Sequence, residues 1–398
     1  MLLAGCAPST TRNTPQMRAY ELSLATGEAG QYAAWHGGPN DGSSIYIQRV
    51  DGDGRLSGKP FRVSDGKRLA YEPDLIFGEN QLITAWYEKT PDTGRLSARM
   101  AGFDLHGRLL WTTPLTDETL QTRNPVVRRI GKDVHVAWIQ QSATNRKSEA
   151  TVWYRRFSQA GVPETLPRRI GRASWDTWNL NAMVYGKRFI VTYDAAETTA
   201  AHELHMIDIT PDDVRHRLLS LDDGHPSLYP DLQVNEAGQA ALTWFDQRDG
   251  NEEIYLIVAP FELLGTDNMP AARRITNDRS ASIGAYVAWN GAILGLAWSD
   301  SPYGSREIFI ETFDRVGHSL GPMRAISASK GQASVPSIRP SAAGFLVAWN
   351  DYTAQKGDAH GTGASSVAQF KWVPASHEDP GSRPGARAAP SRSGSPVP

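Results

Sequence analysis

One motif recurs along this chain and constrains everything else: an apolar run ending in an aromatic and a polar residue. Its copies are QYAAWHG at Trp35, LITAWYE at Trp86, VHVAWIQ at Trp138 and FIVTYDA at Tyr193, then AALTWFD at Trp244, LGLAWSD at Trp298 and FLVAWND at Trp349. The spacings, by subtraction, are 51, 52, 55, 51, 54 and 51 residues. A fixed period of this length is the signature of a repeat architecture, in which each repeat buries its core against the next.

Each period carries four strand signals. After Trp86, for example, a polar turn EKTPDTG leads to LSARMAGFD, and a second turn leads to a short strand at 109–112. The strand before the motif is PDLIF from Pro73. Runs rich in Val, Ile, Thr and aromatics, bounded by Gly, Pro, Asn and Asp, read as strands joined by hairpins. No window shows a sustained apolar stripe of helical period. In Leu82–Trp86 both alternating faces are apolar or small, as a sheet covered on both faces requires. The expected fold is therefore all-β: a seven-bladed β-propeller of four-stranded antiparallel blades, A to D, spanning 17–374. The motif Trp should fill the wedge between blades, and its loss should cost ~3–5 kcal/mol.

Blade seven has A at 336–339, B at Trp349 and C at 367–373, but no D. Residues 10–16 are candidates to supply that outermost strand and close the ring, Pro15 being tolerable at an edge. The alternative is a three-stranded last blade. Residues 375–398 are rich in Pro, Gly, Ser and Arg with little apolar bulk, and are expected to be a disordered tail.

The first residues, 1–16, read as a tether. Leu3-Ala4-Gly5-Cys6 resembles the bacterial lipobox, whose Cys becomes the lipidated first residue of the mature protein, although a basic n-region and a long apolar h-region are missing. A Ser/Thr/Pro-rich stretch follows, as an anchor needs. The expectation is lipidation (including palmitate) at Cys6, and Ala7 fits outer-membrane sorting in the family pattern; the alternative is an accidental LAGC. Cys6 is the only cysteine, which excludes an internal disulfide and a multi-Cys metal site. A formal net charge of −2 leaves no electrostatic footprint for nucleic acid.

Several chemical motifs have simpler structural readings. Asp246, Asp300 and Asp351, with Glu88, all stand two residues after the strand-B aromatic. A catalytic group is needed once, so a recurring carboxylate is expected to cap its own B–C turn. Asp51-Gly52-Asp53-Gly54 resembles the start of a calcium loop but lacks the later oxygen ligands, and reads as a C–D hairpin turn like those at Asp104 and Asp314. The ten histidines show no metal spacing; His202 and His205, three apart in a strand, face opposite ways. No metal and no cofactor are assigned.

The segments entering strand A do not repeat, and they carry Tyr71, Glu72, Arg123, Asn124, Trp175, Asp176, Trp178, Asn179 and Tyr229. In a propeller these entrances converge on one mouth of the central channel, here from blades two to five. Aromatics beside a carboxylate and an arginine suit sugars or other polar ligands. The alternative is that Trp175 and Trp178 plug the channel.

The phrases WFDQRDGNEEIYL, WSDSPYGSREIFI and IYIQRVDGDG resemble the W-x-D-x-R-x-G-x-x-[DE]-I-Y repeats of bacterial secreted and surface β-propeller proteins, over about 17–373. The resemblance implies architecture more than activity. Sialidases are an enzymatic comparison, but their S-x-D-x-G-x-T-W boxes are absent here, and only Arg123 matches a carboxylate clamp. The expectation is thus a monomeric, outer-membrane-anchored binding or assembly module for a protein or glycan. The alternative is a glycan-active hydrolase or lyase working at the mouth of blades two to five.

Overall fold

The computed structural model describes residues 18–38, 43–117, 120–142, 150–172, 176–196, 201–329, 332–352 and 366–375. They form seven antiparallel sheets, six of four strands and one of three, each strand pairing with its neighbours in chain order. This is a seven-bladed propeller. Inner strands A are Arg18–Gly27, Leu69–Phe77, Leu120–Ile130, Asp176–Tyr185, Ser227–Val234, Ile283–Asn290 and Gln332–Ser341. The outermost strands are short, only two residues in Arg168–Arg169, Arg273–Arg274 and Arg324–Ala325. Short, basic edges discourage edge-to-edge association.

The motif aromatics fill the wedges as their spacing requires: Trp35, Trp86, Trp138, Tyr193, Trp244, Trp298 and Trp349 are at most 5% exposed. Four are reinforced across the B–C ladder, Tyr193 by the His205 ring opposite it at 5.1 Å. Trp35, Trp244 and Trp298 sit directly opposite Tyr46, Tyr255 and Phe309, with nearly parallel rings 5.6–6.2 Å apart. Such directly opposed aromatic pairs each add ~0.2–1 kcal/mol. Apolar clusters run from one blade into the next; Leu242 and Trp244 of blade five, for instance, pack on Met183, Ile190 and Met206 of blade four.

The two ends of the ring meet by side-chain bonding and packing. Asn350 of blade seven donates to the Ala19 carbonyl (2.8 Å) and accepts from the Glu21 N–H (2.9 Å). Arg339 donates to the Leu24 carbonyl, and Leu346 and Ala348 pack against Leu22, Leu24 and Trp35. Among the described residues blade seven has three strands, ending in Ser366–Pro374. Residues 10–16, the candidate closing strand, lie outside the described residues, as do Cys6 and the tail beyond 375.

Candidate functional site at the channel mouth

The entrance segments are not loops. Tyr71, Glu72, Arg123, Asn124, Asp176, Trp178, Asn179 and Tyr229 all lie inside strands A. Pro73 and Pro125 read as strand starts in the sequence; in the structure each follows a bulge, and the ladder resumes on the far side. In every blade three residues of strand A face two of strand B at this point. The bulged strand carries one left-handed residue per blade: Glu21 (φ 48°), Glu72 (48°), Asn124 (47°), Asn179 (43°), Tyr229 (58°), Gly284 (63°) and Val335 (52°). Six of the seven are not glycine, and left-handed backbone at such residues is uncommon. Strain repeated at one level of the ring points to a backbone that re-aims side chains into the channel.

Two residues further along each strand, side chains stitch neighbouring inner strands together. Ser23 Oγ accepts the Leu75 N–H (3.0 Å), Asp74 the Val127 N–H (2.7 Å) and Asp231 the Val287 N–H (2.9 Å). Asp74 and Asp231 are therefore structural acceptors for otherwise unpaired backbone donors. Above them lies a cavity of about 290 Å³, lined by six of the left-handed residues: Glu21, Glu72, Asn124, Asn179, Tyr229 and Val335.

Two carboxyl groups dominate one side of this mouth. Glu72 accepts from the Tyr87 hydroxyl (2.9 Å) and from the Asn124 side-chain amide. Glu21, at the equivalent place in blade one, has its Oε2 3.4 Å from His36 Nδ1. That nitrogen also receives the Glu72 N–H at 3.4 Å, and Glu21 Oε2 itself makes no hydrogen bond among the described residues. Burial, then the Glu72 charge, pushes the Glu21 carboxyl well above the usual range. Burial also raises Glu72, while Tyr87, Arg123 and Asn124 pull it back. Burial lowers His36 to about 4. Both carboxyls are thus raised, Glu21 further than Glu72, because Glu72 has hydrogen-bond donors of its own.

Around them runs an aromatic belt. Tyr20 stacks on His36 (5.4 Å), Tyr71 meets His36 edge-on (5.3 Å) and Tyr71 stacks on Tyr87 (5.5 Å). On the opposite side, the wholly buried Asp194 accepts from His202 Nδ1 (3.0 Å), Asn179 (3.2 Å) and the Tyr229 N–H (2.9 Å). Trp178 rests on His202 at 4.8 Å but is 41% exposed, and Tyr229, stacked on Phe245, is 37% exposed. Trp178 is thus a rim residue rather than a plug. Arg123 reaches across to blade four, donating to the Thr177 carbonyl (2.8 Å) and facing Asp176 at 3.5 Å. Trp175 lies outside the described residues.

The structure therefore brings Glu72, Asn124, Asn179 and Tyr229 to one cavity, with Tyr71, Arg123 and Trp178 one residue before its lining positions. Sequence reasoning missed Tyr20, Glu21, His36 and Tyr87. The signal was present: Tyr20-Glu21 stands 51 residues before Tyr71-Glu72. His36 and Tyr87 each follow a motif Trp, the position that faces this mouth.

The recurring carboxylates are structural, with a partner the turn argument did not anticipate. Three of the four take the indole N–H of their own blade: Trp86 to Glu88 (2.9 Å), Trp244 to Asp246 (2.9 Å) and Trp298 to Asp300 (3.4 Å); Asp351 accepts from Ser329 instead. Asp246 also holds Arg248, as expected within the turn. Asp51, Asp104 and Asp314 each accept two backbone N–H groups of their hairpin turns. No group of three or more metal-ligating side chains occurs among the described residues.

No protein-family model matches the chain, and no curated protein matches it in sequence. Solved structures do match in shape. An ulvan lyase of polysaccharide lyase family PL25 superposes with a TM-score of 0.60 at 10% identity, over 91% of this chain and 95% of that one. A Dyadobacter fermentans protein of unknown function gives 0.54 at 10% identity, over 90% and 95%. The Penicillium chrysogenum α-L-arabinanase gives 0.52 at 11% identity, over 78% and 94%. The likeness is one of fold. At these identities it assigns no residue a role.

Proposed function

We propose that this protein is a glycan-binding propeller of the bacterial envelope, tethered by a lipid on Cys6, whose ligand seats at the channel mouth of blades one to five. The observation that carries the reading is one cavity lined by Tyr229 with Glu21, Glu72, Asn124 and Asn179, with the exposed Trp178 next in the chain to its lining residue Asn179. Aromatic faces take the apolar face of a sugar ring, and convergent carboxyl and amide groups take its hydroxyls. The test is titration of the protein with the best ligand from an oligosaccharide array. Trp178→Ala should weaken binding at least tenfold, as truncation of an aromatic anchor does, while Leu110→Ala, exposed on the outermost strand of blade two, should not. Equal affinities would overturn the reading.

A second reading, cleavage of the bound glycan, draws on the Glu21–Glu72 pair. Two neighbouring carboxyls whose environments raise them to different extents are the kind of pair that acid/base cleavage of a glycosidic bond uses. Shape-related proteins named as a polysaccharide lyase and an arabinanase are compatible with that chemistry. Turnover of an array-positive glycan, abolished by Glu72→Gln with binding retained, is the expected result for an enzyme. Binding without turnover leaves the module reading alone.

A further inference from the structure

Below the mouth, the channel has a different character. Arg128 of blade three and Arg339 of blade seven line the same cavity as Glu21 and Glu72. Both lie four residues beyond a left-handed position, so about 13 Å deeper along strands rising ~3.3 Å per residue. Arg128 spends one terminal nitrogen on Asp74 (2.5 Å) and on the Val127 carbonyl (2.6 Å). Arg339 donates to the Ile338 carbonyl (2.8 Å) and the Leu24 carbonyl (3.2 Å), both neutral acceptors. Among the described residues Arg339 forms no ion pair, and the nearby carboxylates are committed: Asp74 to Val127 and Arg128, Asp231 to Val287. The remaining guanidinium nitrogens of both arginines carry no hydrogen bond among the described residues, and neither residue leaves a nitrogen sealed from the cavity without a partner. Burial, and then the neighbouring Arg128 charge, lower the Arg339 pKa below that of an ordinary guanidinium, while Asp231 and Asp74 act through space in the opposite direction.

A buried cation that no carboxylate contacts directly among the described residues is costly. Two guanidiniums with unspent donors facing one cavity match the geometry of an oxyanion. We propose that Arg339, with Arg128, forms an anion subsite in the channel that takes the carboxylate or sulfate group of an acidic glycan. This rests on the glycan reading of the mouth above it, and it narrows the ligand from glycans in general to those bearing an acid group. The cavity of about 290 Å³ is several times the ~30 Å³ share of one water, so it has room for such a group.

The test is a calorimetric titration of the full chain with sodium sulfate, and separately with sodium acetate, against sodium chloride at matched ionic strength. Saturable binding of one anion per chain is expected, at least tenfold weaker in Arg339→Gln and weakened in Arg128→Gln. Because Arg339 also ties blade seven to blade one, Arg339→Lys is run beside it; it keeps the charge and should retain part of the binding if the fold survives. The stronger of the two anions tells a sulfate from a carboxylate subsite. No saturable binding, or binding untouched by Arg339→Gln, overturns the proposal. A second arm compares trigalacturonate with a neutral galactose trisaccharide. Sulfate binding with neither sugar bound would leave the subsite standing and remove the glycan mouth. Both sugars bound equally without sulfate binding would do the reverse.

Discussion

Asp246 offers the sharpest energetic test of how the blades are held. Its carboxylate is fully buried and accepts from Trp244 Nε1 (2.9 Å), Ser227 Oγ (2.8 Å) and the Arg248 N–H and Nε (2.9 Å each), with Arg248 also at 2.5 Å through its terminal nitrogen. Asp246→Ala strands an indole N–H and a hydroxyl in a closed wedge and leaves Arg248 with only Asp223, at 3.7 Å. Breaking a buried charge pair costs ~3–5 kcal/mol, much of it from the partners left behind. Asp351 stands at the same repeat position but accepts only from Ser329 among the described residues, and its Trp349 indole has no partner. Asp351→Ala should cost about 0.5–1 kcal/mol. Urea unfolding of both variants, compared by midpoint at constant slope, reads the difference. Equal losses would refute the argument that the indole–carboxylate–arginine hub, rather than the repeat position, carries the stability. The sign with pH follows. Burial alone would raise Asp246, but Arg248, Trp244 and Ser227 hold it below the usual carboxylate range. Its contribution is therefore complete above the unfolded aspartate pKa near 3.9 and is lost as pH falls through the lower folded value. The Asp246→Ala penalty should shrink only below about pH 4.

Burial lowers His36 and His135 to about 4; NMR titration should show both imidazoles neutral at pH 5.5, with stability falling from the unfolded pKa near 6.5 downward, whereas titration near 6.5 would place them in water. Val335 is a β-branched residue at φ 52°, so Val335→Gly should raise the unfolding free energy by about 1 kcal/mol, and a loss would show that the left-handed geometry is not strained there. If residues 7–16 pair with the open edge of Ser366–Pro374, deleting them should speed hydrogen exchange in that strand, while deleting 376–398 should not; unchanged protection would leave blade seven with three strands. Expressed behind a complete signal peptide, the protein should fractionate with membranes and Cys6→Ser should release it; a wholly soluble wild type would remove the anchor.

The blades were legible in the sequence because a wedge-filling aromatic must recur once per blade, and Trp35 to Trp349 do so. The site was legible only in part. Residues 71–72, 123–124, 178–179 and 229 stood out because they break the repeat, yet the left-handed bulge that aims them has no residue signature: Glu, Asn, Tyr, Gly and Val all occupy it. Pro73 and Pro125, which follow the bulge, masked it as a strand start. Tyr20 and Glu21 were absorbed into an ordinary strand, although they stand one repeat before Tyr71 and Glu72. The indole-to-carboxylate bonds were legible in principle, since Trp and Asp two apart on one strand share a face; the turn reading of the carboxylates passed over them.

The central claim is that the channel mouth is the ligand site, and a structure of the complex with the strongest array-positive oligosaccharide tests it most directly. A sugar ring on Trp178 or Tyr229 is expected, with hydroxyls within hydrogen-bond distance of Glu72 and Asn124 and any acid group pointing down the channel toward Arg339. An oligosaccharide seated on an outer strand or in a groove between blades, with the mouth unchanged, would contradict it.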